Sequence, residues 1–431
     1  MEKVRIGNIC KYVEKEVEID GWLYNKRSSG SIKFLIIRDG SGFMQATMIK
    51  GEVEENVFKE VDDLEYESAV KVFGLVRKEP RAQSGYEILI KNIKIISKAA
   101  GNYPISLKEH GVGFLMNYRH LWLRSPRQNA ILRIRAEIIR SIRNFLDDHD
   151  FILIDTPILT PAACEGTTTL FETEYFGDKA FLTQSGQLYN EANASAFGRV
   201  YCFGPTFRAE KSKTRRHLME FWMVEPEAAY LDFDGCIEIE ENLVAYIVTQ
   251  VLKNKKKELE ILKRDISKLE RVKTPFPRIS YDEAVKILKN NGVDIEWGDD
   301  FGGEDETILS NKYDSPVIVH RYPTKSKAFY MKPDPEREDV VLGADMLAPE
   351  GYGEIIGGGQ RIDDYQLLEN RIKEHQLPRD SYEWYLDIRR FGSVPHSGFG
   401  LGIERTVSWI CGLDHVRETI PFPRMLNKIY P

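Results

Sequence analysis

The chain has 431 residues, five cysteines and a formal net charge of -7. That balance argues against indiscriminate coating of nucleic acid, which needs a basic chain, yet leaves room for a specific RNA met by local basic patches. No apolar run is long enough to span a bilayer, and Met1-Glu2-Lys3-Val4-Arg5 does not lead into a signal-peptide core, so a cytosolic protein without a membrane partner is expected.

The length exceeds what one core normally supports, so two or more domains are expected. Cys10, Cys164, Cys202, Cys236 and Cys411 are scattered, with no paired spacing of the kind that holds zinc, and read as reduced core or near-core thiols.

Five short segments of high strand propensity open the chain: Val17–Leu23, Lys33–Asp39, Phe43–Ile49, Ala69–Val76 and Tyr86–Ile90, with a helical piece from Glu54 to Val61 before the fourth. This pattern predicts a small closed barrel of the oligonucleotide-binding (OB) type. Such barrels bind unpaired bases by stacking and by bonds to base edges, functions that Phe34 and Gln45 could supply across a tight turn. Ser97 to Pro104 breaks the pattern and marks a boundary, giving a barrel domain over 1–100, a linker over 101–127 and a second domain over 128–431.

In the second domain, Ile131, Ile134, Ile138, Ile139, Ile142 and Phe145 recur at helical spacing and predict a long amphipathic helix from Gln128 to Asp148. Phe151–Leu159 reads as a strand. Pro157 lacks a ladder donor, so the strand belongs at a sheet edge or a subunit boundary. Glu165-Gly166-Thr167 is a polar loop, and Gln184 to Glu191 turns into a helix whose start offers amide donors.

Tyr201 to Tyr230 predicts an antiparallel hairpin around the basic loop Glu210 to His217. Side chains alternate along a strand, so Arg208 and Glu210 share one face, as do Phe221 and Met223. A guanidinium, a carboxylate and an aromatic ring offered together suit a nucleotide; the alternative is a hairpin whose charges are merely solvated.

Lys253 to Lys273 reads as one charge-rich surface helix with Leu259, Leu262, Ile266 and Leu269 along a stripe. Asp345 and Glu354 are carboxylates near one another, followed by Gly357-Gly358-Gly359-Gln360-Arg361; oxygen ligands of this kind suit magnesium rather than zinc. Gly398 to Arg405 is a small-residue strand that delivers Arg405 at the entrance to a helix, where it could meet a terminal phosphate.

In this order the pieces resemble the class II aminoacyl-tRNA synthetases, and within them the aspartyl, asparaginyl and lysyl subgroup with an N-terminal anticodon-binding barrel. Phe151–Leu159 looks like motif 1, Phe207-Arg208-Ala209-Glu210 with Arg216 to Phe221 like motif 2, and Gly400 to Arg405 like motif 3. The resemblance implies an α+β fold, with the five-stranded barrel followed by an antiparallel catalytic sheet flanked by helices, and a homodimer joined through the motif 1 region.

The same resemblance implies the site. Arg208 contacts the α-phosphate and the substrate carboxylate, Phe221 stacks on adenine and Arg405 holds the γ-phosphate. Glu354 with Asp345 binds Mg2+, while Glu210, Arg216, His217, Leu218, Gly402, Ile403 and Glu404 complete the ATP contacts. Phe34 and Gln45 match positions that read the anticodon, with Glu87 a further candidate.

Activation forces a carboxylate onto an α-phosphate, so the enzyme must neutralise and align two anions and needs no protein nucleophile. Aspartyl enzymes place a lysine where Asn190 stands and an aspartate where Glu225 stands. Here that lysine charge is gone and the acid is one methylene longer. By this resemblance Glu225 would accept a bond from an amide nitrogen and repel a carboxylate, while Arg361, matching the family's side-chain-binding arginine, would donate to the remaining oxygen. Glu165, Gln187 and His396 would complete the pocket, Glu165 receiving the α-ammonium.

The implied reaction is therefore ATP-dependent activation of L-asparagine and its transfer to tRNA(Asn), releasing AMP and diphosphate. Rival readings are an aspartyl-tRNA synthetase, an asparagine synthetase on the same catalytic domain, and a noncatalytic RNA-binding regulator.

Overall fold

The computed structural model describes residues 1–82, 84–106, 108–161 and 170–431. It divides into two compact units, residues 1–129 with Pro431 and residues 130–430.

In the first unit, β1 (Glu16–Ser29), β2 (Ile32–Arg38), β3 (Phe43–Ile49), β4 (Ala69–Lys78) and β5 (Tyr86–Ser97) form the expected barrel. Pairing runs β1 to β2 to β3, then in parallel to β5, then to β4 and back to β1, so the sheet closes. Alternate residues Leu35, Ile37, Met44, Ala46, Val70 and Val72 point inward and are buried. Gly21 marks a tight corner, because a Cβ there would lie 2.5 Å from the Arg38 carbonyl oxygen. The helical piece runs over Glu55–Glu60.

The second unit is built on α1 (Pro126–Asp148, its first turn in the first unit), β6 (Ile152–Leu153), α2 (Gln187–Phe197), β7 (Arg199–Phe207), β8 (Glu220–Ala229) and α3 (Phe233–Asn254). There follow β9 (Arg278–Ser280), β10 (Val317–His320), β11 (Gly343–Ala348), β12 (Gly353–Gln360), β13 (His396–Gly402) and α4 (Ile403–Cys411). Among the described residues these strands make one eight-stranded sheet in the order β9-β10-β11-β12-β13-β8-β7-β6. Its interior is antiparallel, as expected, but the short outer strands β9 and β6 pair in parallel.

One face of the sheet is covered by helices. Ile131, Ile138 and Ile142 of α1, Ile237, Val244 and Val248 of α3 and Val407 of α4 pack on Tyr201, Val224, Ala228, Ile356, Phe399 and Leu401. Burying each large aliphatic side chain contributes about 1.5–3 kcal/mol. Since strand side chains alternate, the residues between these positions on β8, β12 and β13 face the other way and make a face that is polar and rich in glycine, while Val317, Val319 and Leu347 of β10 and β11 belong to a second apolar core.

Two expected elements are broken. Phe151–Leu159 is not one strand: β6 ends at Leu153, and Leu159–Thr160 joins a separate three-stranded sheet with Glu172–Tyr175 and Asp178–Leu182. Pro157 lies in the gap, where its missing N–H costs no ladder bond. Lys253–Lys273 is not one helix. α3 ends at Asn254, and short helices follow over Lys256–Ile261 and Ile266–Leu269. Lys263 turns through φ +56°, and Asp265 caps the last piece by accepting from the Ser267 amide.

Cys202, Cys236 and Cys411 are buried, whereas Cys10 is exposed; Cys164 lies outside the described residues. Among the described residues no helix is long and apolar enough to cross a membrane.

Candidate active site

The polar face of the catalytic sheet gathers the expected residues by register alone. Phe221, Met223, Glu225 and Glu227 alternate with the core residues of β8. Gly402 pairs with Met223 and Gly398 with Glu227 on β13; Gly357 pairs with Gly400 and Gly359 with Gly398 on β12. A Cβ at Gly398 would collide with the Glu227 carboxylate, so glycine keeps the floor low beneath the side chains.

At one end, a cavity of about 390 Å³ is lined by Arg208, Glu210, His217, Leu218, Phe221 and Arg405, among others. β7 ends at Phe207, but the Arg208 amide still bonds to the Met219 carbonyl at 3.0 Å, so the hairpin carries Arg208 to the cavity edge. Its guanidinium lies 5.5 Å from the Phe221 ring centroid and donates to the Gln184 carbonyl. Burial lowers the pKa of His217, which contacts the Thr214 hydroxyl. Leu218 is buried against Val416 and Ile420, bracing the returning strand.

Of the motif 3 residues, Ile403 is fully buried, so only its backbone can face a ligand. Glu404 is buried too: its carboxylate pairs with Arg135 of α1 at 2.8 Å and accepts from the Trp222 amide at 2.9 Å. Its contribution to the cavity is to fix β8 against α1. Arg405 projects outward and donates to the Glu354 carbonyl at 2.9 Å and to its carboxylate at 3.1 Å.

A second cavity, about 920 Å³, adjoins Arg405 and contains Arg216, Glu306, Tyr322, Lys327, Asp345 and Glu354. Arg216 is held by the protein itself, through the Gly303 carbonyl at 3.0 Å, Glu306 at 2.9 Å, and Thr307 and the Gly351 carbonyl at 2.5 Å each. These bonds engage both terminal nitrogens twice.

Asp345 lies opposite Gly357, and a bulge follows, so that Met346 pairs with Ile356 but Leu347 with Glu354. The extra residue flips the alternation and turns Glu354 onto the same face as Asp345. A Cβ at Gly357 would sit 3.1 Å from Glu354 Oε1 and 3.4 Å from Asp345 Oδ1, so both carboxyl groups border one point that carries no side chain. Two hard oxygen donors around an open position fit Mg2+ completed by water and phosphate. No cluster of three or more His, Cys, Asp or Glu suited to a metal occurs among the described residues, so the protein alone does not form a closed cage. Burial opposes ionisation of Glu354, but Arg405 and Lys327 hold its pKa below the ordinary value.

The polar face continues along β8. Glu225 is buried and sits at the start of α2, accepting from the Gly186 amide at 2.9 Å, from the Ser185 hydroxyl and from Cys202 Sγ at 3.4 Å. The helix start anticipated as an anion site thus receives the protein's own carboxylate, which the free N–H groups stabilise. Asn190, expected among the amino-acid contacts, is fully buried and donates to the Glu225 backbone carbonyl at 2.9 Å.

Arg361 donates to Glu227 through Nε at 3.1 Å and Nη2 at 3.0 Å. Burial would lower its pKa, but Glu227 and Glu191 outweigh it and raise it. Gln187 donates to Glu191 at 3.0 Å, and Glu191 is also bound by Arg389, Tyr385 and His396 Nε2, the last at 2.9 Å. Burial disfavours a charged Glu191, yet Arg389 and His396 bring its pKa below the usual range. His396 therefore belongs to a buried network that orients Gln187. Glu165 lies outside the described residues.

In the barrel, Phe34, Gln45 and Glu87 occur on strands that pair laterally, and Gln45 lies opposite Glu87. The Phe34 ring is covered by the Arg27 guanidinium at 4.5 Å. Glu87 is buried and accepts from Gln45 at 2.8 Å, Thr47 at 2.5 Å and Arg77 at 2.6 Å. It holds the surface in place, and Gln45 presents it.

Sequence reading missed several of these partners. Glu227 shares the strand face of Glu225 at a spacing of two, and Glu191 follows Gln187 by four on a helix, so both had a local signal. Ser185 lies in the helix start already singled out, whereas Glu306, Lys327 and Arg389 had no such signal.

Comparison with known proteins agrees with this architecture. A family profile described as tRNA synthetases class II (D, K and N) matches residues 112–426, and an OB-fold nucleic acid binding domain matches residues 17–96. The chain belongs to this class II synthetase family. It is 63% identical, over all of both chains, to the asparagine–tRNA ligase of Desulforamulus reducens, and 56% identical to that of Sorangium cellulosum over 99% of each. The crystal structure of asparaginyl-tRNA synthetase from Pyrococcus horikoshii with asparaginyl-adenylate is similar at TM-score 0.96 and 45% identity, covering all of both chains. That of Entamoeba histolytica, also with asparaginyl-adenylate, has TM-score 0.90 and 30% identity, covering 100% of this chain and 99% of the other. Within the class, the chain belongs to the asparagine–tRNA ligases.

Proposed function

We infer that the protein activates L-asparagine with ATP and transfers it to tRNA(Asn), releasing AMP and diphosphate. Full-length identity to asparagine–tRNA ligases supports this reading. So does the acidic wall at Glu225, which an aspartate side chain would meet as a like charge.

In this mechanism ATP lies along the glycine floor with its base on Phe221 and its α-phosphate at Arg208. The substrate carboxylate meets the same guanidinium, which offsets the repulsion between the two anions and aligns attack. Glu225 accepts from the side-chain amide nitrogen, and Arg361, fixed by Glu227, donates to the amide oxygen. Gln187 and Glu165 take the α-ammonium. Asp345 and Glu354 would hold Mg2+, which supplies charge neutralisation at the phosphates when bound. Arg405 and His217 then face the departing diphosphate, and the barrel reads the anticodon through Phe34 and Gln45.

The protein works in the cytoplasm as a homodimer in this reading. Ile152, Leu153, Ile158 and Leu159 are 39–47% exposed around Pro157 and provide an apolar surface for the partner. Light scattering would reveal a mass near one chain if the dimer is wrong.

The decisive assay is ATP–diphosphate exchange with asparagine, aspartate and lysine in turn, followed by tRNA charging with the amino acid that supports exchange. Asparagine should dominate; equal exchange with aspartate would remove the assigned role of Glu225.

A further inference from the structure

The larger cavity contains a cation that the activation scheme leaves without a task. Lys327 stands between β10 and β11, with Nζ 2.6 Å from Asp345 Oδ2 and 3.9 Å from the Tyr322 ring centroid. Lys327 and Asp345 side chains are 18% and 15% exposed, so the pair borders solvent in the cavity instead of being sealed in the core. Arg216, in the same cavity, already makes four bonds to the protein, and Arg405 is shared between the carbonyl and carboxylate of Glu354.

Resting on the activation reading above, we propose that Lys327 is a two-position cation. It neutralises Asp345 while no divalent ion is bound, and it turns to the β- and γ-phosphate oxygens of ATP once that ion engages Asp345. An ammonium and a divalent ion repel one another at a shared carboxylate, so occupancy by one opposes occupancy by the other. Lysine suits the exchange, because its charge is compact, it has three donors and its four-carbon stem is flexible. The Tyr322 face gives the ammonium a resting surface on the cavity wall. The diphosphate needs such a partner, since charge develops on it as it leaves and the donors of Arg216 are committed elsewhere.

The test combines binding and exchange on the full-length protein. In Mn2+ titrations of nucleotide-free protein followed by electron paramagnetic resonance, Lys327→Met should bind the ion about 10-fold more tightly than the unaltered protein, because the competing charge has gone. In exchange assays the same variant should raise KM for diphosphate about 10-fold while leaving KM for asparagine unchanged. Lys327→Gln carries the same expectation if the methionine variant misfolds. Unchanged Mn2+ affinity, or an equal rise in both KM values, overturns the proposal. Absence of asparagine-dependent exchange in the unaltered protein would instead count against the activation reading, and the Mn2+ titration would still decide whether Lys327 guards Asp345.

Discussion

At the end of the cleft proposed for the amino acid, Arg361 and Glu227 are 3% and 1% exposed and joined through two nitrogens; at the end proposed for the phosphates, Arg405 and Glu354 are 27% and 37% exposed and share one nitrogen. Both are arginine–glutamate pairs on the same sheet face, yet they do different work. A buried pair cannot exchange partners without stranding a charge, so it presents a fixed donor. A solvated pair is worth little by itself and yields readily to a phosphate or a metal ion. On the proposed reading, selection rests on interactions that stay, and phosphate handling on interactions that can be replaced.

Breaking the charge alignment between the two ends should have the largest effect. Arg208→Ala is expected to lower asparagine-dependent exchange by about 1,000-fold at saturating substrates, comparable to removing a transition-state donor. An effect confined to KM would assign Arg208 to binding alone.

Breaking the buried pair comes next. Arg361→Met leaves Glu227 buried and unpaired, at a cost of about 3–5 kcal/mol measurable by urea unfolding, together with loss of asparagine binding. Arg405→Met should cost less than about 1 kcal/mol of stability while impairing exchange. Equal unfolding costs for these two variants would erase the distinction between the ends.

The selectivity wall is sharpened by Glu225→Gln, which removes the repulsion and keeps the shape. The ratio of kcat/KM for asparagine to that for aspartate should fall about 10- to 100-fold, more than turnover with asparagine itself. Parallel loss with both amino acids would show that Glu225 only supports the fold.

Gln45→Ala should reduce tRNA charging by about 10-fold while amino-acid exchange remains near its unaltered rate, because its contacts lie within the barrel. A matched decline in both assays would exclude anticodon reading.

The smallest effect lies beneath the sheet, where Glu240 of α3 is fully buried and burial pushes its pKa up to about 8. The folded protein holds this proton more tightly than the unfolded chain. The resulting stability is fully present below about pH 4.5 and is lost as pH rises through about 8. Glu240→Gln should therefore flatten the decline of Tm between pH 5 and 8. An unchanged pH profile would remove Glu240 as its source.

The sequence by itself determined the barrel, the long helix of α1 and the hairpin of β7 and β8, because each rests on a local period of apolar residues. It also marked Arg208, Phe221, Glu225, Arg361, Glu354 and Arg405 as chemistry-bearing, through residue type and resemblance. What it could not reach were interactions between segments distant along the chain. The bulge that turns Glu354 toward Asp345, the helix start that receives Glu225 and the bond from Asn190 to the Glu225 carbonyl all arise from pairing between strands or packing of a helix on them. Lys327 is the extreme case: only the approach of its segment to β11 gives it a partner, since nothing in its neighbours along the chain points to a carboxylate eighteen residues away. Local periodicity chooses which face a residue occupies, but register and long-range packing choose what it meets there.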